Sequence, residues 1–233
     1  MSASLTSLAV THPGSLRPRN EDAFLDRPDI GLWAVADGAG GHGAGEVASA
    51  AAIAALDDLP PGLSAAEMLA QLRLRIAAVH ADLQRQAGPG RIIATTLVVL
   101  LARGGHYAAL WAGDSRIYLL RQGSLTRLTR DHSLVQDLVD QGLLAEADAE
   151  GHPQANVITR AIGAEGTLDL DKVSARIAPG DLFLLCSDGL FKAVPETEIA
   201  AILAAGAGPE ALLRTALANG ARDNVTAITV RAG

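Results

Sequence analysis

"LWAVADGAGGHGAGEVASAAAIAAL", residues 32–56, runs from an apolar segment into an acid, Asp37, then through glycines into an alanine-rich stretch of helical character. Two readings compete. Gly38-Ala39-Gly40-Gly41-His42-Gly43 satisfies G-x-G-x-x-G between a strand and a helix, the setting of a dinucleotide fingerprint. An acid directly before the first glycine, however, would set negative charge close to a pyrophosphate. The helix is also followed by the loop DDLPPGLS (57–64) and a second helix. The fingerprint wants a strand there, ending in Asp or Glu about twenty residues on. A phosphate loop fails too, because no Gly-Lys-Ser/Thr follows. The alternative is that Asp37 holds a cation.

Other acids occupy the same context. Asp37 in VADG, Asp114 in AGDS, Asp188 in CSDG and Asp223 in RDNV each stand where an apolar run ends or begins. Glu21 and Asp22 adjoin in RNEDAF, just before Ala23-Phe24-Leu25. Any one of these acids alone is a turn former; together they point to strand ends that converge. Gathered carboxylates repel and do not all stay ionised without a counter-charge. A donor set of oxygens, with almost no Cys or His, favours hard divalent ions such as Mg²⁺ or Mn²⁺. Glycine after an acid leaves its carbonyl sterically free to join such a shell.

Composition narrows the classes. The 233 residues are 49% hydrophobic, enough for one α/β-type domain with a sizeable core. Net charge is −7, and Lys172 and Lys192 are the only lysines, so no basic stripe exists for nucleic acid. Single Cys186 forms no internal disulfide, which fits a reducing compartment. Residues 1–16 lack Lys, Arg and a long apolar run, so no secretory signal is expected. The longest apolar run, 92–102, is too short to span a bilayer. The expectation is a cytoplasmic protein without membrane insertion.

Ser64 and Glu67 form a capping-box pattern ahead of a helix whose stripe is Met68, Leu72, Ile76, Val79 and Leu83. His80 beside that stripe reads as surface or partly packed. Segments 94–102, 106–113 and 116–123 read as strands joined by the short turns RGG and GDS, as antiparallel neighbours would be. Residues 132–144 read as a helix, 181–190 repeats the strand-acid-glycine unit, 196–204 and 208–219 are helical, and 224–230 is a final strand. Strands in hairpin-like order with helices in pairs favour an α+β layered arrangement.

With these residues in view, the sequence resembles the metal-dependent protein phosphatases of the protein phosphatase 2C type. The motifs, in order, are GSLRPRNEDAF, VADGAGGHGAGEVAS, ATTLV, WAGDSRIYLLRQGSLTRLTRDHSLVQDLV, HPQANVITRAIG, GDLFLLCSDGLF and RDNVTAITV. The resemblance implies a single catalytic domain over residues 1–233, a four-layer αββα sandwich of two antiparallel sheets flanked by helices. It implies a dinuclear Mn²⁺ or Mg²⁺ centre in which Asp37 bridges both ions. Asp188 and Asp223 resemble the other ligands of one ion; Glu21 and the Gly38 carbonyl resemble those of its neighbour. Asp22 resembles an acid that holds water beside them, Asp114 the ligand of a third, weaker ion shared with Asp188, and Arg17 the arginine that grips the substrate phosphate. Residues 130–165 resemble a flap beside the active site.

The implied activity is hydrolysis of phosphoserine and phosphothreonine in proteins by a metal-activated water, by a bacterial-type monomer opposing a cognate serine/threonine kinase. THPG and LWAGDSRIY also resemble members paired with a kinase in type VI secretion control. Alternatives are a pseudophosphatase-like binding module, disfavoured because every expected ligand and Arg17 are present, and a phosphatase of small phosphoesters. No covalent phosphoenzyme is implied, so Cys186 reads as a core residue. Ala39 stands where many eukaryotic members place a His that protonates the leaving oxygen, His12 where many carry an acid, and Ala94 where a glycine is usual. His42 reads as loop-packing or solvated, and His132 and His152 as structural.

Overall fold

A computed structural model describes residues 4–40, 43–87 and 91–233; His42 lies outside the described residues. In chain order the elements are β1 (Leu5–His12), β2 (Asp22–Arg27), β3 (Leu32–Ala39), α1 (Ala44–Asp57), α2 (Ala65–Ala87), β4 (Ala94–Thr95), β5 (Leu97–Arg103) and β6 (His106–Ala112). There follow β7 (Arg116–Arg121), β8 (Ser124–Arg127), α3 (Leu134–Asp140), α4 (Glu146–Ala149), β9 (Asp171–Arg176) and β10 (Leu182–Cys186). The chain closes with α5 (Asp188–Phe191), α6 (Glu196–Ala204), α7 (Pro209–Ala218) and β11 (Val225–Ala232). One antiparallel sheet has the order β1-β11-β10-β7-β8; the other runs β2-β3-β5-β6-β9, with β4 added to β3.

Alternation along the strands builds the four-layer αββα sandwich. In β3, Leu32, Ala34 and Ala36 pack with α1 and α2, while Trp33 and Val35 face the other sheet. In β10, Phe183 and Leu185 meet that same seam, while Leu182, Leu184 and Cys186 pack with α5, α6 and α7. Both faces of each central strand are thus buried, which explains why these runs are almost continuously apolar in sequence. Cys186 is fully buried and its thiol is pushed up by that burial, as expected of a core residue. Among the described residues no helix is long and apolar enough to cross a membrane.

Three local expectations change. RGG does make a tight hairpin, with Gly104 at φ 58° and Gly105 at φ 74°, the type I′ signature. GDS does not: β6 and β7 belong to different sheets, and the chain crosses between them at Gly113. Gly113 has φ 108°, and a Cβ there would lie 2.6 Å from the Thr96 Cβ, so only glycine fits the crossing. The helix expected over 132–144 is shorter, capped by Ser133 and ended before Gly142, whose φ is 69°. His80 is buried rather than superficial. Its Nδ1 accepts the Gly163 N–H at 2.9 Å, so Nε2 carries the proton and donates to the Gly166 carbonyl at 3.1 Å. The capping box holds: the Ser64 N–H donates to Glu67 Oε2 at 2.8 Å, and the Glu67 N–H to Ser64 Oγ at 3.3 Å.

Candidate active site

The inter-sheet seam ends in an acidic cleft of about 810 Å³, lined among others by Arg17, Glu21, Asp37, Gly38, Asp114, Asp188, Asp223 and Asn224. Strand parity puts the acids there. Asp37 continues the inward row Trp33–Val35, and Asp22 is its direct cross-strand partner on β2. Across the seam, Asp188 and Asp223 flank the ends of β10 and β11, and Asp114 sits at the crossing between the sheets. Six acids from five separate stretches of the chain therefore meet at one edge.

The backbones around them are pinned. Asp37 donates its N–H to Thr96 Oγ1 at 3.1 Å, and its carbonyl accepts from the Thr96 N–H and Thr95 Oγ1, each at 2.9 Å. The Glu21 N–H donates to Asn224 Oδ1 at 2.8 Å; the Glu21 carbonyl accepts from Ser49 Oγ at 2.6 Å and from the Gly38 N–H at 3.2 Å. Asn224 Nδ2 in turn donates to the Pro13 and Arg19 carbonyls at 2.9 Å. The glycines that raised the dinucleotide reading serve close packing: a Cβ on Gly38 would lie 2.2 Å from the Gly45 carbonyl oxygen. Without side chains there, α1 comes down onto β3 beside Glu21.

Asp22 Oδ2 accepts from Ser187 Oγ at 2.8 Å and from Thr226 Oγ1 at 2.6 Å, while buried Oδ1 has no hydrogen-bond partner among the described residues. Asp114 Oδ1 is likewise buried and unpartnered. Arg17 forms a two-pronged pair with Asp223, Nε to Oδ1 at 2.8 Å and Nη2 to Oδ2 at 2.7 Å. Lys192 Nζ lies 2.6 Å from Asp188 Oδ2. Among the described residues no three acidic, His or Cys side chains close on one point as a finished ligand cluster; Asp223 and Asp188 are each turned toward a cation of the chain itself.

Crowding shows in the proton affinities. Burial, then Asp188 and Asp223, push Asp22 up to about 7 against the pull of its two hydroxyl donors. Burial and Asp188 push Asp114 up to about 7, with Lys192 working the other way. Burial and the charges of Asp22, Asp188, Asp114 and Asp223 hold Asp37 well above the usual carboxylate range. Asp223 is the exception: burial works against it, but Arg17 and the Asn224 N–H keep it low.

A stability consequence follows. Asp22 and Asp114 keep their protons up to about 7 when folded but release them near 4 when unfolded. Between those values the folded state binds more protons, so stability falls as pH rises through the window. His132, held low by burial and then Arg160, works oppositely, but it is one group against three carboxyls. Thermal melts of chelator-treated protein from about pH 5 to 8 are expected to show a declining midpoint; a flat or rising profile would contradict the crowding.

Residues 17–207 match the family model for protein phosphatase 2C. The chain belongs to that family. It is 40% identical over 228 residues to the serine/threonine protein phosphatase PstP of Mycobacterium tuberculosis, an overlap of 92% of this chain and 42% of that protein. The chain therefore corresponds to less than half the length of that relative. PppA, a key regulatory component of T6SS in Pseudomonas aeruginosa, superposes with a TM-score of 0.91 at 41% identity, covering 100% of this chain and 99% of that one. The catalytic domain of PstP in complex with two manganese ions superposes with a TM-score of 0.83 at 35% identity, covering 97% of each chain.

Several residues of this protein phosphatase 2C site were missed in the sequence. Ser187 and Thr226, which hold Asp22, extend the inward rows of β10 and β11, so strand parity alone would have found them. Thr95, Thr96 and Asn224 lie within the family motifs, but nothing in their spacing announces which backbone they brace. Lys192 is four residues after Asp188, one helical turn, and that spacing was its signal. Asn156 and Ile158 place the 130–165 segment on the cleft wall. Of the histidines there, His132 is buried with Nδ1 accepting the Gly113 N–H at 3.2 Å, and His152 Nδ1 accepts the Gln154 N–H at 3.2 Å within its own turn.

Proposed function

We propose that this chain hydrolyses phosphoserine and phosphothreonine in proteins with a pair of Mn²⁺ or Mg²⁺ ions, opposing a serine/threonine kinase. The observation that carries this is the convergence of Glu21, Asp37, Asp188 and Asp223 from both sheets on a cleft whose rim carries Arg17, with Asp22 beside Asp37. The donors fit hard ions. All are oxygens, the crowded carboxyls need counter-charge, and Asp22 and Asp114 each keep a buried oxygen without a partner. In this reading Glu21 and the Gly38 carbonyl would hold one ion, Asp188 and Asp223 would hold the other, and Asp37 would be shared between them. Bound there, the ions supply Lewis-acid activation of water and neutralise phosphoryl charge.

The chain's own groups do the rest. Arg17 presents a planar pair of donors suited to two phosphoryl oxygens. Asp223 occupies that pair in the structure, so substrate phosphate and Asp223 compete for one guanidinium. Asp22 is anchored through Oδ2 by Ser187 and Thr226, while its Oδ1 is buried behind the cleft with no hydrogen-bond partner among the described residues. The segment bearing Asn156 and Ile158 borders the cleft where a flap would meet the protein substrate. The likeness to PppA, a key regulatory component of T6SS, supports a regulatory role in type VI secretion.

The test is Mn²⁺-dependent hydrolysis of p-nitrophenyl phosphate and of phosphothreonine peptides. Activity is expected to vanish in chelator and to return with Mn²⁺; full turnover in excess EDTA contradicts the reading. Higher turnover on free phosphometabolites than on phosphopeptides would favour a small-phosphoester enzyme.

A further inference from the structure

We propose that the ammonium of Lys192 is a built-in cation of the acidic cleft, serving the Asp114–Asp188 pair in place of a further divalent ion. The proposal rests on the metal-centre reading above and deepens it. Lys192 follows the single turn α5, whose first residue is Asp188, and its Nζ lies 2.6 Å from Asp188 Oδ2. The same Nζ donates to Asn156 Oδ1 at 2.6 Å. The two contacts leave one ammonium proton for a third partner. Asp114 lines the cleft with Asp188, and it also lines a neighbouring cavity of about 370 Å³ with Lys192. It is 5% exposed, and its Oδ1 has no partner among the described residues.

A carboxyl at this depth either keeps its proton or stands beside a cation. The resemblance would place a third, weaker metal ion on Asp114 and Asp188. In this chain Asp188 already binds a compact point charge on a four-carbon stem. A divalent ion brought to Oδ2 would meet that ammonium at close range, where like charges repel strongly; the proposed centre is left Oδ1, which Lys192 does not contact. The chain has only two lysines, Lys172 on the outer strand β9 and Lys192. Its tie to Asn156 adds a second effect: the 130–165 segment is fastened to a ligand of the proposed centre through a side chain, not through an exchangeable ion.

Ion counting tests this without reference to turnover. Mn²⁺ is titrated into the metal-free full chain at neutral pH, and the unbound ion is measured by its electron paramagnetic resonance signal. Wild type is expected to bind two ions, and Asp114→Asn to bind the same number. Lys192→Met is expected to take up one more ion than wild type, and the Lys192→Met/Asp114→Asn double variant to lose it again. A folded Lys192→Met that binds no additional ion overturns the proposal, as does a wild type that binds three and loses one with Asp114→Asn. The second comparison does not need the Lys192 variant to fold. A wild type that binds no Mn²⁺ refutes the metal-centre reading itself, a result distinct from a wrong count.

Discussion

Asp37→Asn is expected to reduce kcat/KM on a phosphothreonine peptide by on the order of 10³-fold while leaving the fold intact. Asp37 is the one carboxylate whose inward row places it between both halves of the cleft, with Asp22 opposite it on β2 and Asp188 and Asp223 across the seam. An amide keeps the shape but halves the ligand capacity and removes the charge that two cations would share. Loss of several kcal/mol of charge stabilisation corresponds to about that factor. The fold should not suffer, because the position is braced through its backbone by Thr95 and Thr96. The metal-free melting temperature should even rise slightly at neutral pH, since the carboxyl removed is one that its neighbours repel. Wild-type turnover in the Asn variant would remove the bridging role; gross unfolding would show that Asp37 is structural instead.

Gly38→Ala should destabilise the fold strongly, because the added methyl falls where α1 meets β3 at the cleft. A Cβ at this position would lie 2.2 Å from the Gly45 carbonyl oxygen, 2.4 Å from its carbon and 2.6 Å from the Glu21 carbonyl oxygen. All three are backbone atoms, so no side chain can rotate away; α1 must lift from β3. Overpacking of this kind costs about 3 kcal/mol or more, which in a chain of this size lowers Tm by roughly 6–12 °C. Gly45→Ala meets the reciprocal contacts, 2.6 Å from the Gly38 carbonyl carbon and 2.8 Å from Glu21 Oε2, and should behave alike. Gly151→Ala, whose added carbon meets nothing nearer than 3.8 Å, is the control and should melt like wild type. Calorimetry that finds Gly38→Ala indistinguishable from that control would mean the helix and strand do not approach as described.

What could be read from the sequence depended on whether local pattern or distant partners decide a residue's place. The helices over 65–87, 196–204 and 209–218 and the central strands were legible because their burial follows a period, and a period is written in the chain. The edge strand β9, Asp171–Arg176, was not, since it is almost wholly exposed and has no apolar row to display. β8 hid in a two-residue turn at Gln122-Gly123 that only its φ values of 52° and 81° reveal. The GDS turn is short enough for a hairpin, yet turn length does not say whether the next strand stays in the same sheet. His80 sits at the edge of a helical stripe, and what buries it are the Gly163 and Gly166 backbones, more than eighty residues away.

The cleft followed the same division. The acids stood out because, although one acid at the mouth of an apolar strand is an ordinary turn former, the same context recurs along the chain. The groups that aim them were silent: Ser187, Thr226 and Asn224 are ordinary polar residues until the sheets stack. The cations were ambiguous as well. Arg17 was read as a phosphate ligand, while in the structure it is paired with Asp223.

The crossing at Gly113 and the rows of Trp33, Tyr107 and Phe183 between the sheets carry one more consequence. Glu21 and Asp37 ride on one slab and Asp188 and Asp223 on the other, so the width of the apolar filling acts as the caliper of the acid pair. Trimming a ring in that filling is expected to alter which ion the proposed centre takes up best, though no carboxylate has changed. Ion preference at such a centre would then be heritable through residues that never touch an ion.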